Sequence, residues 1–454
     1  MAKNEILSSL KIKDMTNLGQ GVADHDGRVV FVKSGVRGDV LDAVIIKETK
    51  SYSVAAIKNL VSPSPYREDN KCTCYKTCGG CVFRHISYDE EKRIKYNYVV
   101  NAFKKIAGID ITPESIDTLT SDGYRNNVRY PVGVDKDGRL FPGFFSEKSH
   151  NIIKVENCLT QKPAFIPVID YIFKAFNESN LTAYNEETAK GYIRHVCLRT
   201  SRDGKVAVCV VINGEVDEKL KKIAEKVVRD NDSVVSFSAN INTKKTNVIF
   251  GEKTTVLIEK ESLTEKICGK AFKISPRSFF QVNSETAEMM FDKAREYLDL
   301  KGGEVLLDLY CGTGTVGICV APEGVKLFGS EIVPEAVEDA WENARINNVG
   351  DYTFVCGDAS EGVAKCVEKY GIPDAITVDP PRKGLSEETV DAILSSGAKK
   401  LVYISCNPDT LARDVKLLTQ SPTSAYTLSR ITLFDLFPRT SHVECVTLMS
   451  RVKD

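Results

Sequence analysis

The sequence contains no apolar run close to the roughly 18 residues that a membrane span needs, and no tract of low complexity. Its first residues, MAKNEILSSLKIKD, have neither a long apolar core nor a small-residue cleavage site, so they do not resemble a signal peptide. Basic residues (61) and acidic residues (62) nearly cancel, so the overall charge selects no class of partner. These absences argue against a membrane-spanning or secreted protein, and we expect a cytoplasmic one.

The sequence divides into three regions, and a chain of 454 residues is long enough for several domains. Residues 1–60 show short alternating runs broken by glycine, with a hairpin turn at His25-Asp26-Gly27, which predicts a small OB-like β-barrel of five strands. Residues 70–265 combine a cysteine cluster, a helical stretch and hairpins, which predicts an α+β central domain. In residues 266–454 strands alternate with helices, which predicts a doubly wound, Rossmann-like α/β domain.

A glycine turn follows the first predicted strand of the third region. The run from Asp308 to Gly317 matches G-x-G-x-x-G, in which glycine lets the backbone turn sharply and approach a ligand. Glu331 ends the next strand, where a carboxylate can accept hydrogen bonds from both ribose hydroxyls of an adenosine. Both features fit a nicotinamide cofactor and S-adenosylmethionine equally well.

The segment Asp379-Pro380-Pro381-Arg382 favours S-adenosylmethionine over a nicotinamide cofactor. A strand that ends in Asp-Pro-Pro places a carboxylate and rigid carbonyls beside the cofactor crevice, although a plain turn is the simpler alternative. The segment resembles the (Asn/Asp)-Pro-Pro-aromatic motif of methyltransferases that act on exocyclic amines. Arg382 replaces the aromatic residue, which argues against amine methylation. A nicotinamide oxidoreductase would leave the segment unexplained.

Two residues near the end of the chain suit methylation of a pyrimidine at carbon 5. That carbon attacks a methyl sulfonium only after a thiolate adds to carbon 6, and a base must then remove its hydrogen. Cys406 follows a buried strand and precedes a predicted helix, whose dipole should lower the pKa of the thiol. Glu444 begins the last apolar strand, although taken alone it is better explained as a satisfied edge carboxylate.

The chain resembles the bacterial RNA uracil-5-methyltransferases over nearly its full length. The matching segments are Phe279-Phe280-Gln281-Val282-Asn283, Asp308 to Gly314, Asp379 to Gly384, Ser405-Cys406-Asn407-Pro408 and His442-Val443-Glu444. The resemblance implies an S-adenosylmethionine methyltransferase fold in which Cys406 attacks carbon 6 and Glu444 is the general base. It also implies that Gln281, Tyr310, Glu331 and Asp379 lie at the S-adenosylmethionine and uracil site. Thr315 stands where the family often has asparagine, so that contact is not inferred.

The cysteine cluster predicts a metal site. Cys72, Cys78 and Cys81 follow the pattern C-x5-C-x2-C, and spacing alone leaves zinc and iron–sulfur open. Family members with this pattern and a fourth, distant cysteine hold a [4Fe–4S] cluster, which implies Cys72, Cys78, Cys81 and Cys158 as ligands and leaves Cys74 spare.

The first 60 residues resemble a TRAM domain, an RNA-binding barrel. In the family, this barrel together with a cluster is associated more with 23S rRNA than with tRNA. The resemblance therefore implies an enzyme that methylates uridine in 23S rRNA, and we expect it to be a monomer. A tRNA enzyme and a non-catalytic RNA-binding or assembly protein are the alternatives.

Overall fold

A computed structural model of the protein describes residues 4–147, 149–275, 278–420 and 426–452. Its N-terminal part is all β: β1 (Ile6–Lys11), β2 (Asp14–Met15), β3 (Gln20–His25), β4 (Arg28–Lys33), β5 (Val40–Glu48) and β6 (Tyr52–Ser62). These strands form one sheet in the order β1-β5-β6-β4-β3-β2, so the structure has a two-residue strand more than the five predicted. Asp26 and Gly27, both at positive φ, form the predicted hairpin turn.

The middle of the chain begins with a helix and ends in a seven-stranded sheet. Helix α1 (Tyr88–Ala102) continues as a π-helical turn (Phe103–Ala107), and the short strand β7 (Ile116–Asp117) follows. The sheet comprises β8 (Asn127–Val134), β9 (Leu140–Phe145), β10 (Ile152–Lys154), β11 (Ile193–Thr200), β12 (Val206–Ile212), β13 (Val234–Ile241) and β14 (Lys253–Glu259), in the order β10-β9-β8-β11-β12-β13-β14. Helices α2 (Phe165–Glu178) and α3 (Glu218–Asp230) bury their apolar faces against it.

The C-terminal part is a doubly wound α/β domain, preceded by the hairpin β15 (Thr264–Ile267) and β16 (Lys270–Lys273). Its helices are α4 (Ser284–Leu298), α5 (Thr315–Val320), α6 (Pro334–Ile346), α7 (Ala359–Tyr370), α8 (Glu387–Ser396) and α9 (Pro408–Gln420). Its strands are β17 (Val305–Leu309), β18 (Lys326–Glu331), β19 (Asp351–Cys356), β20 (Ala375–Val378), β21 (Lys400–Ser405), β22 (Tyr426–Phe434) and β23 (Glu444–Arg451). The sheet order is β19-β18-β17-β20-β21-β23-β22-β7, and the predicted α/β class is confirmed.

Local sequence signals fix where several of these helices begin. A side-chain oxygen at the N-cap accepts a hydrogen bond from the backbone N–H three residues later, which satisfies one of the free donors of a first turn. The capping residues are Ser87, Asp217, Asn283, Asp358 and Ser386, at the starts of α1, α3, α4, α7 and α8.

Residues 88–117 pack against the C-terminal sheet. Val99 and Phe103 share a buried cluster with Tyr403 and Leu411, and β7 pairs with β22 at the sheet edge. The chain therefore contributes to the C-terminal layer before it enters the central sheet. No helix within the described ranges is long and apolar enough to cross a membrane.

Candidate active site

The site lies where the strands of the C-terminal sheet end. β17, β20 and β21 run parallel, with Leu309 paired to Val378 and Val378 to Tyr403. Asp379 and Cys406 therefore leave the sheet at the same edge. β23 runs in the opposite direction and pairs Cys445 with Ser405, so its first residue, Glu444, lies across from Cys406. The topology thus brings a thiol and two carboxylates together.

A cavity of about 840 Å³ opens at this edge, within the usual size range of ligand sites. All six residues that the sequence assigned to catalysis and cofactor binding line it: Gln281, Tyr310, Glu331, Asp379, Cys406 and Glu444. Glu444 is buried, with 5% of its surface exposed, and the other five are half-buried. The structure therefore places the predicted residues in one site.

The glycine turn lines one side of the cavity, through residues such as Tyr310 and Gly312. Tyr310, Gly312 and Gly314 have φ values of 60°, 54° and 77°, and nothing lies within 4 Å of a Cβ built on Gly312, so the backbone there faces open space. Glu331 holds the turn in place, because its Oε2 accepts a hydrogen bond from the Gly312 N–H (3.1 Å). Its Oε1 accepts from the N–H groups of Ile332 (2.9 Å) and Val333 (3.0 Å). An open turn with a fixed carboxylate beside it fits the adenosine end of S-adenosylmethionine.

Asp308, the penultimate residue of β17, holds the segment around this turn through two hydrogen bonds. Its Oδ1 accepts from the Thr377 hydroxyl (2.7 Å) on β20, and its Oδ2 accepts from the Gly317 N–H (2.9 Å) on α5. Burial raises the pKa of the Asp308 carboxyl to about 7. The carboxyl group therefore joins two strands and a helix next to the glycine turn.

The thiol of Cys406 is less acidic than the sequence predicts. Burial, followed by the nearby carboxylates of Glu444 and Asp379, raises the pKa of its thiol to about 11, and the Arg382 guanidinium only partly opposes this. The prediction that the helix dipole lowers this pKa is therefore wrong. Removal from water beside two acidic groups makes this thiol a weaker acid than an ordinary cysteine, so it is protonated at neutral pH.

The two carboxyl groups of the site are also perturbed. Burial and the nearby Asp379 raise the pKa of Glu444 to about 8, against the effect of Arg382. Burial and the neighbouring Asp308 raise the pKa of Asp379 to about 7. A carboxyl group that titrates near neutral pH is suited to general base catalysis.

Arg382 and His442 are further residues at this edge, and the sequence did not assign either of them a role. The Arg382 carbonyl accepts hydrogen bonds from Asn407 Nδ2 (2.9 Å) and the Thr410 hydroxyl (3.2 Å), which ties the Asp-Pro-Pro-Arg turn to the Cys406 turn. The Arg382 guanidinium lies 3.1 Å from His442 Nε2. Both residues lie inside segments that match the family, and this was the sequence signal that could have identified them as site residues.

A second cavity, of about 690 Å³, lies next to the first and shares Phe279 and Phe280 with it. Five cysteines line it: Cys72, Cys74, Cys78, Cys81 and Cys158. Burial raises the pKa of the Cys81 thiol to about 11, against the opposing charge of Arg84. Among the described residues, no three histidine, cysteine or acidic side chains stand in an arrangement that could hold a metal ion. The predicted ligands line one cavity, and their all-thiol chemistry, though not their spacing in this structure, is that of an iron–sulfur site.

Comparison with known proteins places these features in a family. The model of the tRNA (uracil-5-)-methyltransferase family matches residues 88–452. A protein of Bacillus cereus described as an uncharacterized RNA methyltransferase is 37% identical over 99% of this chain and 98% of its own length. A Staphylococcus aureus protein with the same description is 35% identical over 99% of both chains.

A solved structure agrees with these matches. The tRNA (uracil-54, C5)-methyltransferase of Pyrococcus abyssi, in complex with S-adenosyl-L-homocysteine, is 28% identical and superimposes with a TM-score of 0.76. The superposition covers 97% of this chain and 100% of that one. It confirms the predicted methyltransferase fold with a β-rich N-terminal part.

Proposed function

Since the chain belongs to the tRNA (uracil-5-)-methyltransferase family, we propose that it methylates carbon 5 of a uridine in RNA, with Cys406 as nucleophile and Glu444 as general base. The observation that supports this best is the register of β21 and β23, which sets Cys406 across from Glu444 beside Asp379 in one cavity. The chain is an S-adenosylmethionine-dependent RNA methyltransferase by family, and the residue roles are the proposal.

The proposed reaction uses the thiol and the carboxylate in turn. Cys406 gives its proton to solvent and its sulfur bonds to carbon 6 of the uracil, which places the electron pair of the former double bond on carbon 5. Carbon 5 takes the methyl group as the carbon–sulfur bond of the sulfonium breaks, and the electron pair of that bond stays on the departing sulfur. Glu444 then removes the remaining hydrogen from carbon 5, the electrons of that bond restore the double bond, and the sulfur leaves carbon 6 as a thiolate.

The cofactor side of the cavity completes the proposed site. When bound, S-adenosylmethionine supplies an electrophilic methyl group. Glu331 would accept hydrogen bonds from the ribose hydroxyls, and Tyr310, Asp379 and Gln281 would surround the rest of the cofactor and the uracil edge. The Gln281 backbone is held for this by Asn126, whose Nδ2 donates to the Gln281 carbonyl (3.0 Å).

We propose 23S rRNA as the substrate, and tRNA is the alternative. The TRAM-like N-terminal sheet and the thiol-lined cavity support rRNA, because the resemblance associates that combination with 23S rRNA. The Pyrococcus abyssi protein, which is named for uracil 54 of tRNA, supports the alternative.

Mapping 5-methyluridine in the rRNA and tRNA of a strain that lacks this gene separates the two. We expect one or more 5-methyluridines to disappear from 23S rRNA, and tRNA to keep its own. Restoring the gene should restore the modification, whereas a Cys406→Ala copy should not. Loss from tRNA alone would identify the alternative substrate, and loss from neither RNA would contradict the proposed function.

We further propose that Cys72, Cys78, Cys81 and Cys158 hold a [4Fe–4S] cluster and that Cys74 remains a free thiol. The support is the convergence of these cysteines on one cavity, with Cys158 brought to the other three from a distant part of the chain. The cluster would supply rigid cross-links between the segment after β6 and the one after β10.

Anaerobically purified protein should contain iron and acid-labile sulfide in equal amounts. Cys78→Ser removes one proposed ligand and should lower both by more than half, as measured by metal and sulfide analysis and by visible absorbance. Cys356→Ser, at an exposed cysteine outside the cavity, is the matched control and should change neither. Zinc without sulfide in the wild-type protein would contradict the cluster.

A further inference from the structure

The loop that joins β22 to β23, residues 435–443, carries His442 and leads directly into Glu444. Four successive carbonyls of this loop accept hydrogen bonds from elsewhere in the chain: Leu436 from Asn283 Nδ2 (3.2 Å), Phe437 from Lys95 Nζ (3.3 Å), Pro438 from the Tyr124 hydroxyl (3.0 Å) and Arg439 from the Val82 N–H (2.8 Å). Because residues 436–439 are each held by another segment, this part of the loop has little freedom to move.

Lys95 contacts this loop at two residues, Asp435 and Phe437. This lysine of α1 has no exposed surface, and a buried ammonium is costly unless its donors are satisfied. Its Nζ donates to Asp435 Oδ1 (2.7 Å) and to the Phe437 carbonyl, both on the loop, and to Glu91 Oε1 (2.8 Å) on its own helix. Three acceptors match the three donors of an ammonium group.

Two further contacts extend this network. Tyr88, also on α1, donates its hydroxyl to Asp435 Oδ2 (2.8 Å), so both oxygens of that carboxylate are held from the same helix. Glu91 Oε1 also accepts from the Arg439 N–H (2.6 Å), at a residue with φ of 70°. Because a non-glycine residue at positive φ is unfavourable, this backbone geometry depends on the bonds around it.

We infer that Lys95 is a positioning residue for the general base: its ammonium fixes the β22–β23 loop so that Glu444 enters the cavity across from Cys406. This rests on the proposed function, in which Glu444 must reach the hydrogen on carbon 5 after methyl transfer. The Val82 and Phe83 N–H groups, which follow Cys81, donate to the Arg439 carbonyl, so the same loop is also attached to the cysteine segment. Proton removal is the step that a displaced loop would impair, because a base acts only within hydrogen-bond reach.

Lys95→Met tests the inference, because methionine fills similar space without donating a hydrogen bond. We expect kcat to fall by about 10- to 100-fold, as a small displacement of a catalytic group does. KM for S-adenosylmethionine should stay within about 2-fold, since Lys95 does not touch the cofactor side of the cavity. On ordinary uridine-containing RNA the variant should accumulate a covalent protein–RNA complex that carries the methyl group, because addition and methyl transfer still proceed while proton removal becomes slow. Tyr88→Phe, which removes one hydrogen bond to Asp435, should give the same complex in smaller amount.

Arg194→Met is the matched control. Arg194 is another buried cation, which donates to the Asn242 carbonyl (2.9 Å) and the Lys244 carbonyl (2.8 Å) in the central domain, outside both cavities. It should lower the melting temperature without accumulating the complex.

The inference is overturned if kcat falls in Lys95→Met without accumulation of the complex, or if neither quantity changes. If Lys95→Met does not fold, wild-type behaviour of Tyr88→Phe overturns it. If Glu444→Gln itself accumulates no complex, the result contradicts the proposed function, in which Glu444 is the general base, and not the role of Lys95.

Discussion

In Cys406→Ala, no covalent complex should form with RNA that contains 5-fluorouridine, and the methylation rate should fall by at least about 10⁴-fold. Without sulfur at this position nothing adds to carbon 6, and carbon 5 stays too weak a nucleophile to take the methyl group. In the wild-type protein the complex should persist, because a base cannot remove fluorine from carbon 5. Labelled S-adenosylmethionine and a denaturing gel detect it.

Cys356→Ser is the control for this experiment, since it changes an exposed cysteine outside the cavity and should form the complex normally. A complex of wild-type yield in Cys406→Ala would eliminate the proposed nucleophile. Its absence in the wild-type protein with both rRNA and tRNA substrates would favour a non-catalytic RNA-binding protein.

The pH dependence of the same assay tests the acidity of the thiol. With the pKa of Cys406 raised to about 11, the thiolate fraction, and with it the rate of complex formation, should increase continuously between pH 6 and 9. Turnover also needs Glu444 in its ionised form, which is present above its pKa of about 8. Arg382→Gln removes a positive charge that lowers both pKa values, so it should move the profile to higher pH. A shift to lower pH would contradict the electrostatic account.

In Glu444→Gln, ordinary uridine-containing RNA should become trapped on the protein. Glutamine cannot accept the hydrogen of carbon 5, so the double bond cannot re-form and the sulfur cannot leave carbon 6. Turnover should fall by about 10²- to 10⁴-fold, the usual contribution of a general base, while the methylated complex accumulates to nearly one per protein.

Glu444→Asp keeps a carboxylate on a shorter side chain and should release part of the trapped RNA. This pair separates the loss of the base from a general disturbance of the strand. Free methylated RNA produced by Glu444→Gln at the wild-type rate would rule out Glu444 as the base.

The sequence predicts this site because the carboxyl ends of buried strands can be recognised from their apolar runs. The glycine turn, Asp379 and Cys406 each follow a buried apolar run, and parallel strands bring such positions to one edge. Glu444 reaches the same edge because β23 runs antiparallel. That direction is not visible in the residues of β23 themselves.

Features that depend on distant packing were not predictable in this way. β7 is too short to show a periodicity, so nothing local indicates that it joins the C-terminal sheet. In the sequence, Lys95 stands among the charged residues of α1 and so resembles a solvent-exposed position. In the structure it is buried and donates a hydrogen bond to Asp435, which lies far along the chain. The high pKa of Cys406 likewise comes from Glu444 and Asp379 together with burial, which only the folded chain supplies.

The most direct test of the mechanism is mass spectrometry of the complex trapped by Glu444→Gln, after digestion with protease and nuclease. We expect one modified peptide, with a methylated uridine nucleotide attached to Cys406. Attachment at any other residue, or methylated RNA with no nucleotide on the Cys406 peptide, would contradict it.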